Sequence, residues 1–105
     1  AVTRMALRAC RLHWHPSAGA VFGQLQRSAL SVQLNIAEGY ALHSQSRLQF
    51  HLNVAYGSAV ETEELLELVK DEDLVPRELA DEALQVSHRG ARLVLGLLRR
   101  TRLRP

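Results

Sequence analysis

The sequence has 105 residues and a formal net charge of +2; 47% of its residues are hydrophobic and 5% are aromatic. This length and apolar content supply the core of one domain, so a single domain is expected over residues 1–105. No apolar run approaches the roughly 18 residues that a bilayer span needs, and arginines interrupt the N-terminal apolar residues, so neither a transmembrane helix nor a secretory signal is predicted. Cys10 is the only cysteine and cannot form an intramolecular disulfide, which fits a cytoplasmic protein.

Two helices are predicted on either side of Pro16. The first has arginines on one face and an apolar seam on another, formed by Val2, Met5, Ala9 and Leu12. It is expected to end near Trp14, because the backbone just before a proline is disfavoured in the helical region. The second helix is expected to run from about Ala18 to Tyr40.

The second predicted helix carries two separate apolar lines. Its broader face recurs at threes and fours, at Phe22, Leu25, Ala29, Val32, Ile36 and Tyr40. A distinct line is formed by Leu30, Leu34 and Ala37. One bundle core needs only a single broad stripe, so this second line is predicted to meet another subunit.

Two further helices complete the predicted fold. The third has a seam that alternates fours and threes, at Leu48, Leu52, Ala55, Ala59, Thr62, Leu66 and Val69. Ser44 is expected to cap its start, and Pro76 suits the first position of the fourth helix. The seam predicted for that helix is Leu79, Ala83, Val86, Gly90, Leu93 and Leu97. Four amphipathic helices joined by short turns predict an all-α, antiparallel up-down-up-down four-helix bundle.

Glu61 is predicted to be largely buried on the third helix. Its helical neighbours are mainly apolar, at Val54, Gly57, Ser58, Leu65 and Leu68, and Gly57 is expected to admit a neighbouring backbone. An unpaired buried carboxylate would cost several kcal/mol, so partners on the second helix are required. A buried polar network that fixes the helix register is therefore predicted, with the members Ser31, Asn35, Glu38, Ser58 and Glu61. A catalytic role for Glu61, or a metal pair with Glu38, is the less favoured interpretation.

Two motifs carry a family resemblance. The first contains Gln24, Arg27, Ser31 and Asn35-Ile36-Ala37-Glu38-Gly39, and the second contains Leu52-Asn53-Val54-Ala55, Gly57-Ser58 and Glu61. Together they resemble the four-helix-bundle proteins encoded in intervening sequences of bacterial 23S rRNA genes. The resemblance implies an antiparallel bundle, assembly into pentameric rings, no established enzymatic activity and a suspected link to nucleic acid.

Charge is distributed unevenly along the chain. Residues 61–82 contain ten of the eleven acidic residues, whereas the rest of the chain contains eleven arginines and Glu38. On the fourth helix, one side is predicted to carry Arg89, Arg92, Arg99 and Arg100. Two interpretations remain open: these arginines bind nucleic-acid phosphates, or they pair with the acidic residues of the same or a neighbouring subunit.

No pattern typical of an enzyme is found. The sequence lacks a nucleophile elbow, a glycine-rich phosphate loop and a Cys/His cluster with metal-ligand spacing, so no catalytic residue, cofactor, metal or small-molecule substrate is expected. We expect a non-enzymatic homo-oligomer, pentameric by the resemblance, that binds nucleic acid nonspecifically through its basic face. The alternative is a protein-interaction scaffold with no nucleic-acid role.

Overall fold

The computed structural model of the chain describes residues 2–13 and 18–103. These residues form four helices and no strand: α1 (Val2–Leu12), α2 (Gly19–Ala41), α3 (Gln45–Asp71) and α4 (Arg77–Leu103). The all-α prediction is confirmed. The predicted end of the first helix at Trp14 and Pro16 lies outside the described residues. Within residues 2–13 and 18–103, no helix combines the length and hydropathy that a membrane crossing requires.

The ends of α3 follow from local capping chemistry. Ser44 Oγ accepts a hydrogen bond from the Arg47 amide at 3.4 Å, which confirms Ser44 as the N-cap. At the other end Asp73 has a positive φ of 52°, and the Leu74 amide bonds back to the Val69 carbonyl at 3.0 Å. This pattern, with a left-handed residue just past the helix, satisfies the last carbonyls and turns the chain toward α4.

Contacts between consecutive helices pair rising residue numbers on one helix with falling numbers on the next. Thr3 Oγ1 on α1 donates to the Ala29 carbonyl on α2 at 3.0 Å, while Cys10 lies against Phe22. The contacts between α3 and α4 show the same order, at Lys70 with Asp81, Glu63 with His88, and Gln45 with Thr101. The helix α1 also packs against α4.

The seam of α3 is where the sequence prediction agrees with the structure. Six of its seven predicted positions are buried and Leu48 is half-buried. In α4, by contrast, Leu93 is 71% exposed, so its assignment to the core-facing seam is wrong. The buried line of α4 consists mostly of side chains smaller than leucine, at Ala80, Ala83, Ser87, Ala91, Val94, Leu98 and Thr101.

Small residues also decide how α1 packs. Its buried positions are Thr3, Ala6 and Cys10, whereas Leu12, part of the predicted seam, is exposed. Ala6 and Ala29 have almost no exposed surface. Small side chains at a contact let two helices approach closely, so the most hydrophobic line of a helix need not be the one that is buried.

The helices α2 and α3 approach each other closely at Gly39. A Cβ added there would lie 3.0 Å from the Cβ of His51 and 3.2 Å from the Leu48 Cδ1. Gly57, predicted to admit a neighbouring backbone, is exposed, and a Cβ added there would meet no atom within 4 Å apart from the adjoining residues and backbone of its own helix. Within the chain that prediction is wrong, because Gly57 lies on the side of α3 that faces away from the other helices.

Cys10 provides a pH-dependent test of this core. Burial raises the pKa of its thiol from 9.0 to about 11, because the thiolate loses its hydration. Between pH 9 and pH 11 the unfolded chain therefore loses this proton while the folded chain keeps it. The free energy of unfolding should fall with rising pH across that window, and this term should be absent below it. Urea unfolding of the wild type and of Cys10→Ala at several pH values isolates the term; equal pH slopes in the two proteins would contradict it.

Candidate functional site

A polar seam joins α2 to α3, formed by Ser28, Ser31 and Asn35 on α2 and His51, Ser58 and Thr62 on α3. Within it, Thr62 Oγ1 donates its proton to the Ser58 carbonyl at 2.7 Å and lies within hydrogen-bond distance of Ser28 Oγ, at 3.0 Å. One turn further on, the hydroxyls of Ser31 and Ser58 lie 2.8 Å apart. Each of these bonds forms only when a particular turn of α2 lies beside a particular turn of α3. A shift of either helix along its axis would break all of them, so the seam favours one register of the two helices.

The seam continues through Asn35 and His51. Asn35 Nδ2 donates to the Ser31 carbonyl at 2.9 Å, which leaves its Oδ1 to accept from His51 Nδ1 at 2.9 Å. His51 is half-buried, and its Nδ1 lies 3.9 Å from a carboxylate oxygen of Glu38. An amide oxygen and a carboxylate therefore both lie near the same ring nitrogen, on the side of the bundle where α2 and α3 meet.

Glu61 does not lie in the buried part of this seam. Its carboxylate is exposed, and Oε1 accepts a hydrogen bond from Gln24 Nε2, while Arg27 bonds to the oxygen of the same amide at 2.9 Å. A polar partner on α2 is present as predicted, but it is Gln24 and not Ser31 or Asn35 of the predicted network. The prediction of burial is wrong for the single chain. The cause is that the apolar neighbours Val54 and Leu68, expected to enclose Glu61, are themselves exposed on the outer side of α3.

Glu38 is likewise exposed, so its predicted burial is also wrong. Ser31, Asn35 and Ser58 are half-buried. The two carboxylates have separate neighbours: Glu38 lies near His51, whereas Glu61 accepts a hydrogen bond from Gln24. Among the described residues, no group of three or more His, Cys, Asp or Glu side chains is arranged to hold a metal ion.

The predicted interface residues of α2 lie on an apolar outer face of the bundle. We define this outer face as Leu30, Leu34, Ala37, Phe50 and Val54, all of which are exposed in the single chain. Leu34 is 54% exposed and Phe50 is 62% exposed. The register of the seam places Leu34 level with Val54, so apolar surface continues from one helix to the other.

The predicted arginine face also lies in solvent. Arg89, Arg92, Arg99 and Arg100 are all exposed on α4. None of the four forms an ion pair with another residue in the part of the chain that the structure describes. The described acidic residues therefore leave the charge of these guanidinium groups unpaired within one chain.

The acidic residues lie mostly away from the distal half of this face. Glu63 and Glu67 line a shallow depression together with Arg89 and Arg92, and Glu63 bonds to His88 at 3.0 Å. Further along α4, Arg99 and Arg100 lie beside the start of α3, whose residues 45–60 contain no acid. Glu63 and Glu67 thus lower the positive potential around Arg89 and Arg92 without forming ion pairs with them, and the distal pair lies in the more positive surroundings.

Arg47 is a basic residue that the sequence analysis did not include. The Gln45 side chain donates to the Thr101 carbonyl at 2.7 Å, which holds the first turn of α3 against the last turns of α4. Arg47 is exposed and therefore adds to the positive charge at the end of the bundle where Arg99, Arg100 and Arg102 lie. The sequence did contain a signal for this contribution of Arg47. The last two predicted helices are similar in length, and in an antiparallel pair the start of α3 then lies beside the end of α4.

Comparison with known proteins agrees with this architecture. The crystal structure of a protein with unknown function from the S23 ribosomal protein family of Bacteroides thetaiotaomicron VPI-5482 is similar, with a TM-score of 0.78 and 24% identity. The similarity covers 93% of this chain and 98% of that chain, and at this identity it shows the fold alone. No curated protein matches the chain. The family model described as 23S rRNA-intervening sequence protein matches residues 17–94, most of the chain, and the chain therefore belongs to that family.

Proposed function

We propose that this protein is a non-enzymatic subunit of a homo-oligomer, with an up-down-up-down antiparallel fold, that binds nucleic acid nonspecifically through the arginine face of α4. The observation that carries the proposal is the set of four exposed arginines without an ion pair among the described residues. The opposite order of paired residues on consecutive helices supports the antiparallel topology.

Phosphate binding follows from the chemistry of the arginine face. Guanidinium groups bind phosphate oxygens through charge-assisted hydrogen bonds and release the counterions condensed on the nucleic acid. Phosphate contacts carry no sequence information, so the specificity should be slight. The basic residues at the distal end, Arg47, Arg99 and Arg100, widen the surface over which a phosphate backbone can lie.

Self-association is supported by the outer face. Its apolar residues are contiguous across two helices, and a second copy is the simplest partner to cover such a patch. Gly57 is exposed on α3, which also carries Phe50 and Val54 of the outer face. The open space around it leaves room for a neighbouring subunit to come close. Five copies is the number that the family resemblance implies, and repetition would multiply the arginine face.

Replacing both Arg92 and Arg99 with glutamine tests the nucleic-acid role. Each phosphate contact adds a log–log salt slope of about −0.9 on duplex DNA, so the double variant should flatten the slope by up to about two units. Both side chains are exposed, so folding should be unaffected. Filter binding at about 50 mM and about 200 mM salt measures the slope, with a sizing column beside it.

The matched control replaces Arg8 and Arg11, two exposed arginines of α1, with glutamine and so removes the same total charge. This control should keep most of the salt dependence of binding that the wild type shows. If both double variants reduce binding equally, only overall charge matters and the proposed face is wrong. If the α4 variant instead loosens the oligomer while binding persists unchanged, these arginines pair with acidic residues of a neighbouring subunit.

A protein-interaction scaffold is the second candidate function. It is favoured by exposed apolar side chains that lie outside the outer face. Leu93, the most exposed large apolar side chain among the described residues, lies on α4, away from the outer face. Absence of nucleic-acid binding at low salt would favour the scaffold function over nucleic-acid binding.

A further inference from the structure

The surface where α3 and α4 meet carries an aromatic ring beside the arginine face. Two contacts join these helices: Glu63 with His88 at 3.0 Å, and the Gln45 side chain with the Thr101 carbonyl at 2.7 Å. Tyr56 lies on α3 between these two contacts. It is on the same side of the helix as Glu63, because the seven residues between their positions make about two turns. The Tyr56 side chain therefore projects toward α4.

Two arginines of α4 lie near the level of this ring. Arg92 and Arg99 follow His88 by four and eleven residues, about one and three turns, so both are on the side of α4 that faces α3. Interpolation between the two contacts places Tyr56 level with about Leu93. Arg92 is thus close to the level of the ring, and Arg99 follows about 10 Å beyond Arg92, at 1.5 Å per residue.

The ring of Tyr56 is available to a ligand. It is half-buried and, among the described residues, forms no hydrogen bond or ring contact. Val60, one turn along α3, is 41% exposed and extends the apolar surface. Gly96 is exposed between Arg92 and Arg99, and a Cβ added there would meet no atom within 4 Å apart from the adjoining residues and backbone of its own helix. This stretch of α4 therefore leaves space for a flat group beside the ring.

The acidic residues of α3 decide where along this surface a phosphate is favoured. Glu63 and Glu67 line the depression on one side of Arg92, and their negative charge opposes an anion there. On the other side, toward Arg99, residues 45–60 of α3 contain no acid. A phosphate backbone is therefore favoured between the two arginines, which is the part of the surface that contains the aromatic ring.

We propose that this surface binds single-stranded nucleic acid, with an unpaired base stacked on Tyr56 and the flanking phosphates on Arg92 and Arg99. Every base has a flat π face, so the stacking needs no particular sequence. The bases of a duplex are stacked on one another and do not reach the ring, whereas the phosphates of either form reach the arginines. The inference rests on the proposed phosphate binding by α4 and names the class of nucleic acid that gains a further contact there.

Replacing Tyr56 with alanine should weaken the binding of a single strand about tenfold, because a base loses its aromatic stacking partner. The probe is a fluorescein-labelled DNA strand of mixed sequence without self-complementarity. It is titrated with the full chain and followed by fluorescence anisotropy. The same strand annealed to its complement gives a duplex, whose affinity should not change. The salt slope for the single strand should also stay the same, since the variant removes no charge.

Two further variants separate the ring from other effects. Tyr56→Phe keeps the aromatic face and should bind the strand as the wild type does. Tyr40→Ala, the matched control, removes a tyrosine of α2 that is 48% exposed and should also leave binding unchanged. An unchanged duplex affinity in Tyr56→Ala shows that this variant is folded with its arginines in place.

The outcomes distinguish the stacking site from phosphate binding itself. If Tyr56→Ala binds the strand as tightly as the wild type does, the stacking site is wrong while phosphate binding by α4 stands. An equal loss for the strand and the duplex would also overturn the stacking site, because the change then acts on the arginines or on folding. If the wild type binds neither form at low salt, the proposed nucleic-acid role is wrong and the stacking site fails with it.

Discussion

Replacing Leu34 with glutamate is expected to break the homo-oligomer into single chains. Leu34 is 54% exposed at the centre of the outer face, so the folded monomer tolerates a carboxylate there. In the proposed contact the same carboxylate would be buried against apolar surface without a partner, at a cost of several kcal/mol. Since about 1.4 kcal/mol corresponds to a factor of ten, association should weaken by about a hundredfold or more. Light scattering at micromolar concentration measures the change in mass.

Leu12→Glu is the matched control for this experiment. Leu12 is 63% exposed, but it lies at the end of α1 and outside the outer face. Its variant should keep the mass of the wild type. If Leu34→Glu also keeps that mass and remains folded by circular dichroism, the outer face does not hold the subunits together.

Truncating Phe22 to alanine should cost the fold about 3–5 kcal/mol, through lost transfer free energy and the cavity left behind. Phe22 has no exposed surface and belongs to the main core cluster, together with Leu25, Cys10 and Val69. A domain of this size has about 5–15 kcal/mol of total stability, so the variant should be close to unfolding. The drop in the urea midpoint at unchanged slope measures the loss.

Leu12→Ala provides the comparison, because it also truncates a large apolar side chain but at an exposed position. A surface change of this kind is expected to stay within about 0.5 kcal/mol. If Phe22→Ala shifted the midpoint no more than Leu12→Ala does, the placement of α2 in the core would be wrong.

The sequence allowed the helices and the seam of α3 to be predicted because local rules decide them. Ser44 caps α3 through its own side chain, and Leu52, Ala55 and Leu66 recur at the spacing that buries one side of a long helix. Such features depend on residues a few positions apart. They therefore do not depend on how the neighbouring helices are arranged.

The environment of Glu61 could not be predicted in the same way. Its apolar neighbours indicated burial, but burial depends on which side of α3 the other helices occupy, and Val54 and Leu68 face outward. The same limit explains Leu93 and Leu12, which are strongly apolar yet exposed. Apolar periodicity identifies a face; it does not say whether the same chain or a partner covers that face.

The contribution of Arg47 to the basic end depends on a tertiary contact that no local pattern contains. It requires the start of α3 to lie beside the end of α4. This placement follows from the lengths and pairing of the two helices.

Light scattering after size exclusion, with the protein mixed with a short DNA duplex at low and at high salt, tests the central claim most directly. Assembly through the outer face and phosphate binding by α4 predict a protein mass that is a multiple of the 11.7 kDa chain, about fivefold, at both salt concentrations. The duplex should elute with the protein at low salt and separate from it at high salt. A mass of one chain, with the duplex eluting free at low salt, would contradict the account.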